Sequence, residues 1–257
     1  ENANKKKNSI LIESDAGIGK TSIVQQVAEE SGLGFVKVNL SNIEQSGDLL
    51  GYPFMEFESV DDCGDMVWIS SRQIDHSNRK DTIKLTGRTR TSYSPPAWVP
   101  TDGKGIVLLL DDFTRAPTHI MQAVMEIIDK GEYLSWKLPA DCHVMLTSNP
   151  SDSGDYIVTA LDDAQATRFI KLQMKFDVNE WASWAEKDGV DSRCINFLML
   201  NPEMIKGKIN ARLATDYFAS ISSLEDFNTP ETLGLIGLLG EGSVGPEFST
   251  SFALFIN

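Results

Sequence analysis

The sequence reads Ser14-Asp15-Ala16-Gly17-Ile18-Gly19-Lys20-Thr21 directly after an apolar run, Ser9–Glu13, that predicts a strand. The residues that follow, Lys20–Glu30, carry apolar side chains at helical spacing. A glycine-rich turn between a strand and a helix exposes consecutive backbone N–H groups, and the helix dipole adds positive potential there. The stretch matches the phosphate-loop pattern, with Ser14 in the place of the first glycine. It therefore predicts a site for nucleotide phosphates, with an accidental turn as the alternative.

Each residue of this loop has an expected role. We expect the Lys20 ammonium to reach the β- and γ-phosphates of ATP, and the Thr21 hydroxyl to bind Mg²⁺. Gly17 and Gly19 allow the backbone to approach the phosphates closely. The predicted nucleotide-binding residues are Asp15, Ala16, Gly17, Ile18, Gly19, Lys20 and Thr21.

An apolar strand that ends in two carboxylates supplies the other half of the predicted site. Ile106–Leu110 is continuously apolar, which is typical of a central strand in a parallel sheet, and Asp111 and Asp112 follow it. We expect Asp111 to hold the Mg²⁺ shell through water, and Asp112 to polarise the attacking water. Ligands of α/β folds bind at this carboxyl edge of the sheet. The alternative is a solvated turn after a core strand.

The order of elements predicts an α/β fold of the P-loop NTPase type, with a three-layer αβα core around a parallel sheet and a small all-α lid domain. Other strands are expected at Phe35–Leu40, Val144–Thr147 and Phe169–Met174, and a helix is expected to open at Pro117. From about Asp177 the apolar spacing is helical. The predicted domains are a nucleotide-binding core at residues 1–176, with an insert at about 52–100, and a helical lid at residues 177–257.

Composition narrows the class of protein. The content of 41% apolar and 23% charged residues is that of an ordinary globular protein, and no apolar run approaches the roughly 18 residues that a membrane span needs. Cys63, Cys142 and Cys194 lie far apart without a CxxC spacing, so we expect free thiols and a cytoplasmic location. The chain starts at Glu1 without a methionine or a signal-peptide core, and it stops without a clear end signal. Both features are compatible with a processed or incomplete chain.

The charge is uneven along the chain. A formal net charge of −14 argues against a surface that coats DNA non-specifically. One segment, Ser70–Ser94, reverses this balance with six cations against two acids. These residues are Arg72, Arg79, Lys80, Lys84, Arg88 and Arg90, with Asp75 and Asp81. A solvated loop and a contact surface for an acidic partner both remain open.

With both halves of the site in place, the chain resembles the AAA+ ATPases, and within them the MoxR-like, dynein-related group. Five segments carry the resemblance: Asp48–Pro53 after the second strand, Leu110–Pro117 as an extended Walker B motif, Thr147–Pro150 as sensor 1, Leu161–Phe169 with the arginine finger, and Asn210–Arg212 as sensor 2. Each segment is weak alone. Their shared order and workable spacing make the resemblance strong.

The resemblance implies roles for three more residues. Asn149 would hold the attacking water or the γ-phosphate, and Arg168 would project into the nucleotide of a neighbouring subunit, where a guanidinium neutralises the transferred phosphoryl group. Arg212 would contact phosphate and couple the nucleotide state to the angle of the lid. The open alternatives are a turn asparagine, a surface ion pair of Arg168 with Asp162 or Asp163, and a solvated helix arginine.

One departure from the family pattern concerns catalysis. The group usually carries Asp-Glu where this chain has Asp111-Asp112. The Asp112 carboxylate is one methylene shorter than that of glutamate, which loses roughly 1.5 Å of reach. Because near-attack geometry tolerates such a displacement poorly, we expect slow but measurable hydrolysis of ATP.

The insert at about 52–100 is long for a connection inside a compact domain. In MoxR-like relatives this region carries an insertion in the helix after the second strand, and that insertion faces the central pore. The arm at Glu132–Leu138, with Tyr133 and Trp136, resembles the hairpin that precedes sensor 1. Contact with a substrate and a purely structural hairpin are both open interpretations of the arm.

Three functions fit the sequence. The leading one, implied by the resemblance, is a homo-oligomeric ATPase, a hexameric ring that remodels a protein client in a chaperone-like way, with a von Willebrand A domain protein as the expected partner and no membrane contact. A DNA-acting AAA+ motor of restriction or loader type is an alternative, in which the basic segment would track nucleic-acid phosphates. A nucleotide-gated scaffold with little turnover is another, because of Asp112.

Overall fold

The computed structural model describes residues 8–76, 84–100, 103–150, 158–224, 226–227 and 229–257. The chain divides into two compact units. The first contains the residues up to Ile12 and Val24–Leu172, and the second contains Glu13–Ile23 and Gln173–Asn257. The domain limits 1–176 and 177–257 stay a prediction.

The elements have the following bounds within the described residues. The strands are β1 Ser9–Glu13, β2 Gly34–Asn39, β3 Pro53–Val60, β4 Met66–Ser70, β5 Lys84–Tyr93, β6 Ile106–Asp111, β7 Glu132–Tyr133, β8 Trp136–Lys137, β9 Cys142–Ser148 and β10 Phe169–Gln173. The helices are α1 Lys20–Glu30, α2 Ser46–Leu50, α3 Ser71–His76, α4 Thr118–Lys130, α5 Asp163–Ala166, α6 Val178–Lys187, α7 Ser192–Leu200, α8 Ala211–Ile221, α9 Pro230–Ser243 and α10 Pro246–Ile256.

A five-stranded parallel sheet forms the centre of the first unit, in the order β10-β1-β9-β6-β2. The strand β6 is buried along its whole length, because its Ile-Val-Leu-Leu-Leu run has neighbours on both sides. Its last residue, Asp111, is in register with Asn39 of β2. The predicted α/β class, with a parallel sheet and a following helical segment, is confirmed.

Helix α4 shows how the sequence covers this sheet. Its apolar positions recur at helical spacing, and they are buried in the core of the first unit. Pro117 precedes its first turn, where a missing N–H costs nothing. Gly131 ends the helix with a φ of 67°, a left-handed conformation that glycine adopts without strain.

The insert forms a separate three-stranded antiparallel sheet in the order β4-β3-β5, together with the short helix α3. The family resemblance implies an insertion within a helix and does not predict this sheet. The antiparallel pairing is known only from the structure. The residue types suit strands, because β4 contains the run Val67-Trp68-Ile69 and threonines recur along β5.

The arm at 132–138 is a two-stranded hairpin, β7–β8. Its Trp136 is 5% exposed, and the indole N–H donates a hydrogen bond of 2.8 Å to the Leu50 carbonyl. Trp136 also packs edge-to-face on Trp98, with 5.7 Å between ring centroids. These contacts give Trp136 a structural role, whereas Leu134, Ser135 and Lys137 of the hairpin are exposed.

The second unit has its own core, in which aromatic side chains of α7, α8 and α10 pack together. Phe197, for example, lies 5.2 Å from both Phe248 and Phe252, measured between ring centroids. The glycine-punctuated end of the sequence is helical in the structure, as the end of α9 and the whole of α10. Gly240 permits the close approach of these two helices, because a Cβ there would lie 2.4 Å from the Ser249 hydroxyl.

No helix in the described part of the chain is long and apolar enough to cross a membrane.

Candidate nucleotide-binding site

The predicted phosphate loop lies between β1 and α1, as the sequence indicates. Gly17 and Gly19 have φ values of 75° and 97°, and residues with a Cβ adopt such backbone angles only under strain. Among the described residues, the non-glycine positions with positive φ are Asp112 and Leu134, so Ser14 fills its place in the loop with ordinary backbone geometry.

Lys20 is folded over the loop. Its ammonium donates hydrogen bonds to the carbonyl oxygens of Ser14, at 2.8 Å, and Asp15, at 3.0 Å. Helix α1 begins at Lys20, so the positive end of its dipole lies at the loop. The loop therefore presents a positive charge and a helix N-terminus together, which is the combination that binds phosphate.

Within the second unit the phosphate loop contacts the start of α8. The Arg212 N–H donates a hydrogen bond of 2.9 Å to the Gly17 carbonyl. Asn210 caps α8 by accepting a hydrogen bond from the Leu213 N–H. Its amide also lies on the Cα of Gly17, where a Cβ would come within 2.4 Å of Asn210 Oδ1. The predicted sensor 2 segment thus touches the phosphate loop through its backbone and its capping residue, while the Arg212 side chain is exposed.

Within the first unit, Asp111 is the centre of a polar cluster at the carboxyl edge of the sheet. Only 8% of Asp111 is exposed. One carboxylate oxygen accepts a hydrogen bond from the Thr147 hydroxyl at the end of β9, and the other pairs with the Lys37 ammonium of β2 at 2.7 Å. The Thr147 oxygen in turn accepts a bond of 3.0 Å from the Asp112 N–H. Three adjacent strands therefore orient this carboxylate.

Asp112 adopts a left-handed conformation, with φ 57° and ψ 40°. Aspartate tolerates this region better than most residues, and positions of this kind often lie at functional sites. The chain turns here from the end of β6 into the 3₁₀ helix Phe113–Arg115. Asp112 is half-buried, in contrast to Asp111.

Asn149 follows β9 and is 4% exposed, so it lies at the same edge of the sheet as Asp111. Two neighbouring hydroxyls, of Thr114 and Ser148, are buried and lack a hydrogen-bond partner among the residues that the structure describes. Buried polar atoms are normally paired, and this edge therefore has unused hydrogen-bonding capacity.

Arg168 is held within its own chain. Its Nε lies 2.6 Å from Asp129 Oδ2, and its guanidinium also donates to the Ala164 carbonyl. The sequence suggests an ion pair of Arg168 with Asp162 or Asp163, but Arg168 Nε pairs with Asp129 instead. Asp162 instead caps α5 by accepting a hydrogen bond from the Gln165 N–H, which is the ordinary use of aspartate before a helix.

The basic segment is partly neutralised by the neighbouring strand. Arg90 pairs with Glu56 at 2.6 Å, and Arg88 pairs with Glu58 at 3.4 Å. Burial raises the pKa of the Glu56 carboxyl, but hydrogen bonds from Ser92 and Arg90 outweigh it and leave that pKa below its usual value. Glu56 is therefore ionised near neutral pH. It neutralises Arg90, which contributes a full positive charge when the charges of Ser70–Ser94 are summed without Glu56. The residues Arg79, Lys80 and Asp81 lie outside the described residues.

Sequence reasoning did not consider Lys37, and it named Thr147 and Asn210 only as members of the sensor 1 and sensor 2 segments. Lys37 is a lone cation in an apolar strand, and Thr147 is the first polar residue after the apolar part of β9. A polar residue within or at the end of an apolar strand could have indicated a polar cluster at the carboxyl edge of the sheet. The contact of Asn210 with Gly17 joins residues almost 200 positions apart, and no local pattern indicates it.

No protein-family model and no curated protein matches the chain. Many solved structures resemble it at a low level, among them the two that follow. A candidate ATPase from Cytophaga hutchinsonii ATCC 33406 is 14% identical, with a TM-score of 0.44 over 98% of this chain and 77% of that one. NtrX from Brucella abortus is 13% identical, with a TM-score of 0.46 over 89% of this chain and 48% of that one. Similarity at this level does not bear on activity, and any functional interpretation depends on the residues of this chain.

Proposed function

We propose that this protein is a Mg²⁺-dependent ATPase of the AAA+ type, which works as a homo-oligomeric ring and remodels a protein partner. The observation that carries the ATPase proposal is the phosphate loop: two glycines at positive φ, a lysine folded over the loop and a helix that starts at that lysine. This arrangement supports the binding of a triphosphate.

The residues present suit a magnesium–nucleotide complex. Mg²⁺ prefers oxygen ligands and is usually bound by one or two protein groups together with substrate phosphates. Thr21 and Asp111 are the ligands that we propose, because their side chains are a hydroxyl and a carboxylate of this kind. The bound ion would neutralise charge on the phosphates.

Each of the other site residues has a part in the proposed reaction. Lys20 exchanges the carbonyls of Ser14 and Asp15 for phosphate oxygens, which offer its ammonium a full negative charge. Asp112 accepts a proton from the attacking water, and Asn149 orients that water. Thr147 keeps Asp111 and the backbone of Asp112 in register.

The proposed ring follows from the proposed role of Arg168, since this residue would act on the nucleotide of a neighbouring subunit. In the single chain Arg168 is paired with Asp129, and about one third of its side chain is exposed. Its guanidinium is therefore accessible, and it acts in the neighbour's site when the ion pair with Asp129 exchanges for phosphate. Arg212 is exposed at the start of α8 and is proposed to contact phosphate in the same assembly.

A protein client is favoured over nucleic acid by two features of charge. The net charge is −14, and two of the cations in the basic segment are paired with Glu56 and Glu58. A surface that tracks nucleic-acid phosphates needs unpaired cations, because these displace the counterions that are condensed on the nucleic acid. A von Willebrand A domain protein is the proposed partner.

The test separates binding from turnover. A fluorescent ATP analogue should bind the wild-type protein with Mg²⁺, and Lys20→Ala should abolish binding. Lys171→Ala, which removes an exposed lysine of β10, is the matched control and should bind normally. Phosphate release by the wild type should stop in Asp112→Asn while binding persists. Absence of nucleotide binding by the folded wild type would refute the proposal, whereas tight binding without phosphate release would favour a nucleotide-gated scaffold.

A further inference from the structure

Lys37 lies on β2, the edge strand of the parallel sheet, and is in register with Leu109 of β6. Its ammonium reaches along the strand to the end of β6 and lies 2.7 Å from Asp111 Oδ2. The side chain of Lys37 is 40% exposed, whereas that of Asp111 is 11% exposed. The pair therefore joins a partly exposed cation to a nearly buried carboxylate.

Both carboxylate oxygens of Asp111 are engaged in the structure. Oδ1 accepts a hydrogen bond from Thr147, and Oδ2 faces Lys37. A buried carboxylate without a compensating charge is costly, and the ammonium supplies that charge. The same ammonium stands beside the oxygen that a bound cation or its water shell would need, and like charges at such a distance repel.

We propose that Lys37 is a positioning residue that neutralises Asp111 when no metal is bound and gives up that carboxylate when Mg²⁺ arrives. This inference rests on the proposed function, in which Asp111 serves the metal. The ammonium and Mg²⁺ compete for one carboxylate, so Lys37 raises the Mg²⁺ concentration that nucleotide binding requires. Release of Lys37 needs no unpacking of the core, because its side chain extends through partly exposed space.

The experiment titrates Mg²⁺ into the protein with a fluorescent ATP analogue and measures the midpoint of analogue binding. Lys37→Met removes the charge and keeps the length of the side chain. We expect its Mg²⁺ midpoint to fall by about two- to fivefold, which is the effect of losing a partly exposed ion pair. Lys37→Arg keeps the charge and should leave the midpoint at or above that of the wild type. Lys171→Met, from β10 of the same sheet, controls for loss of a surface lysine and should match the wild type.

Each outcome decides the matter. An unchanged or higher midpoint in Lys37→Met overturns the inference, and so does an equal fall in Lys37→Arg, since the effect would then come from packing. If Lys37→Met does not fold, Lys37→Gln takes its place under the same criteria. A folded wild type that binds no nucleotide at any Mg²⁺ concentration contradicts the proposed function itself, whereas normal wild-type binding with no shift in the variants contradicts only the role of Lys37.

Discussion

Replacing Gly17 by alanine should uncouple the phosphate loop from α8. The substitution introduces two costs. The first is backbone strain at φ 75°, about 1 kcal/mol for a residue with a Cβ. The second is a collision, because the new methyl group would lie 2.4 Å from Asn210 Oδ1. Asn210 must then move and lose its capping bond to Leu213, which is worth about 1 kcal/mol. We expect Gly17→Ala to lower the free energy of unfolding by about 2 kcal/mol in total.

The chain offers a matched control for the strain alone. Gly32 has a φ of 68°, and an added Cβ there would meet no atom within 4 Å. Gly32→Ala should therefore lose only about 1 kcal/mol. Asn210→Gly should cost a few tenths of a kcal/mol, because glycine is tolerated before a helix. In the double variant the collision is gone, so its loss should be about 1 kcal/mol smaller than the sum of the single losses.

Urea unfolding followed by tryptophan fluorescence measures these free energies, with Trp181 and Trp184 of α6 as probes in the second unit. Binding of a fluorescent ATP analogue measures the functional effect in parallel. We expect Gly17→Ala to lose nucleotide binding and Gly32→Ala to retain it. Losses that add within about 0.5 kcal/mol would refute the reasoning, since the contact between Gly17 and Asn210 would then carry no energy.

Three further predictions concern individual side chains. Thr147→Val removes a hydroxyl that donates to Asp111 and accepts from Asp112, so it should lower the free energy of unfolding by about 1–3 kcal/mol in a urea titration, whereas a loss under 0.5 kcal/mol would contradict this network. Asp112→Glu restores about 1.5 Å of reach, so it should raise the rate of phosphate release, and an equal or lower rate would show that reach is not the limitation. The side-chain hydrogen bond from Arg193 lowers the pKa of Asp191, so the Asp191 carboxylate stabilises the fold above its unfolded pKa of about 4 and loses this effect as the pH falls through its folded value. Asp191→Asn should therefore cost about 0.5 kcal/mol near neutral pH and nothing in acid, and an equal cost at both pH values would exclude the ion pair as the cause.

The order of strands and helices could be read from the sequence because it depends on local patterns. The run Ile106–Leu110 is apolar at every position, and a segment of that kind is stable only when neighbours cover both faces. Helix α4 repeats its apolar residues with a helical period between a proline and a glycine. Burial imposes these patterns on any chain, so the α/β class and the bounds of β1 and α1 follow from them.

The insert was harder to predict, because its strands pair over long separations. Glu56 is in register with Arg90, and Glu58 accepts a hydrogen bond from Thr86. A count of charges along Ser70–Ser94 omits these acids, since they belong to another strand. The apparent excess of positive charge is thus a property of the segment, and the folded sheet reduces it by cross-strand pairing.

The sequence by itself predicted a glycine-rich loop between a strand and a helix, and two carboxylates at the end of a central strand. It did so because glycines, a lysine and a buried apolar run have few other uses in that order. Only the tertiary structure decided the partners of those residues: Lys37 and Thr147 on Asp111, Asn210 on Gly17, and Asp129 on Arg168. Ion pairs and hydrogen bonds depend on distances of a few ångströms between side chains from separate elements, and a linear pattern carries no information about such distances until the chain has folded.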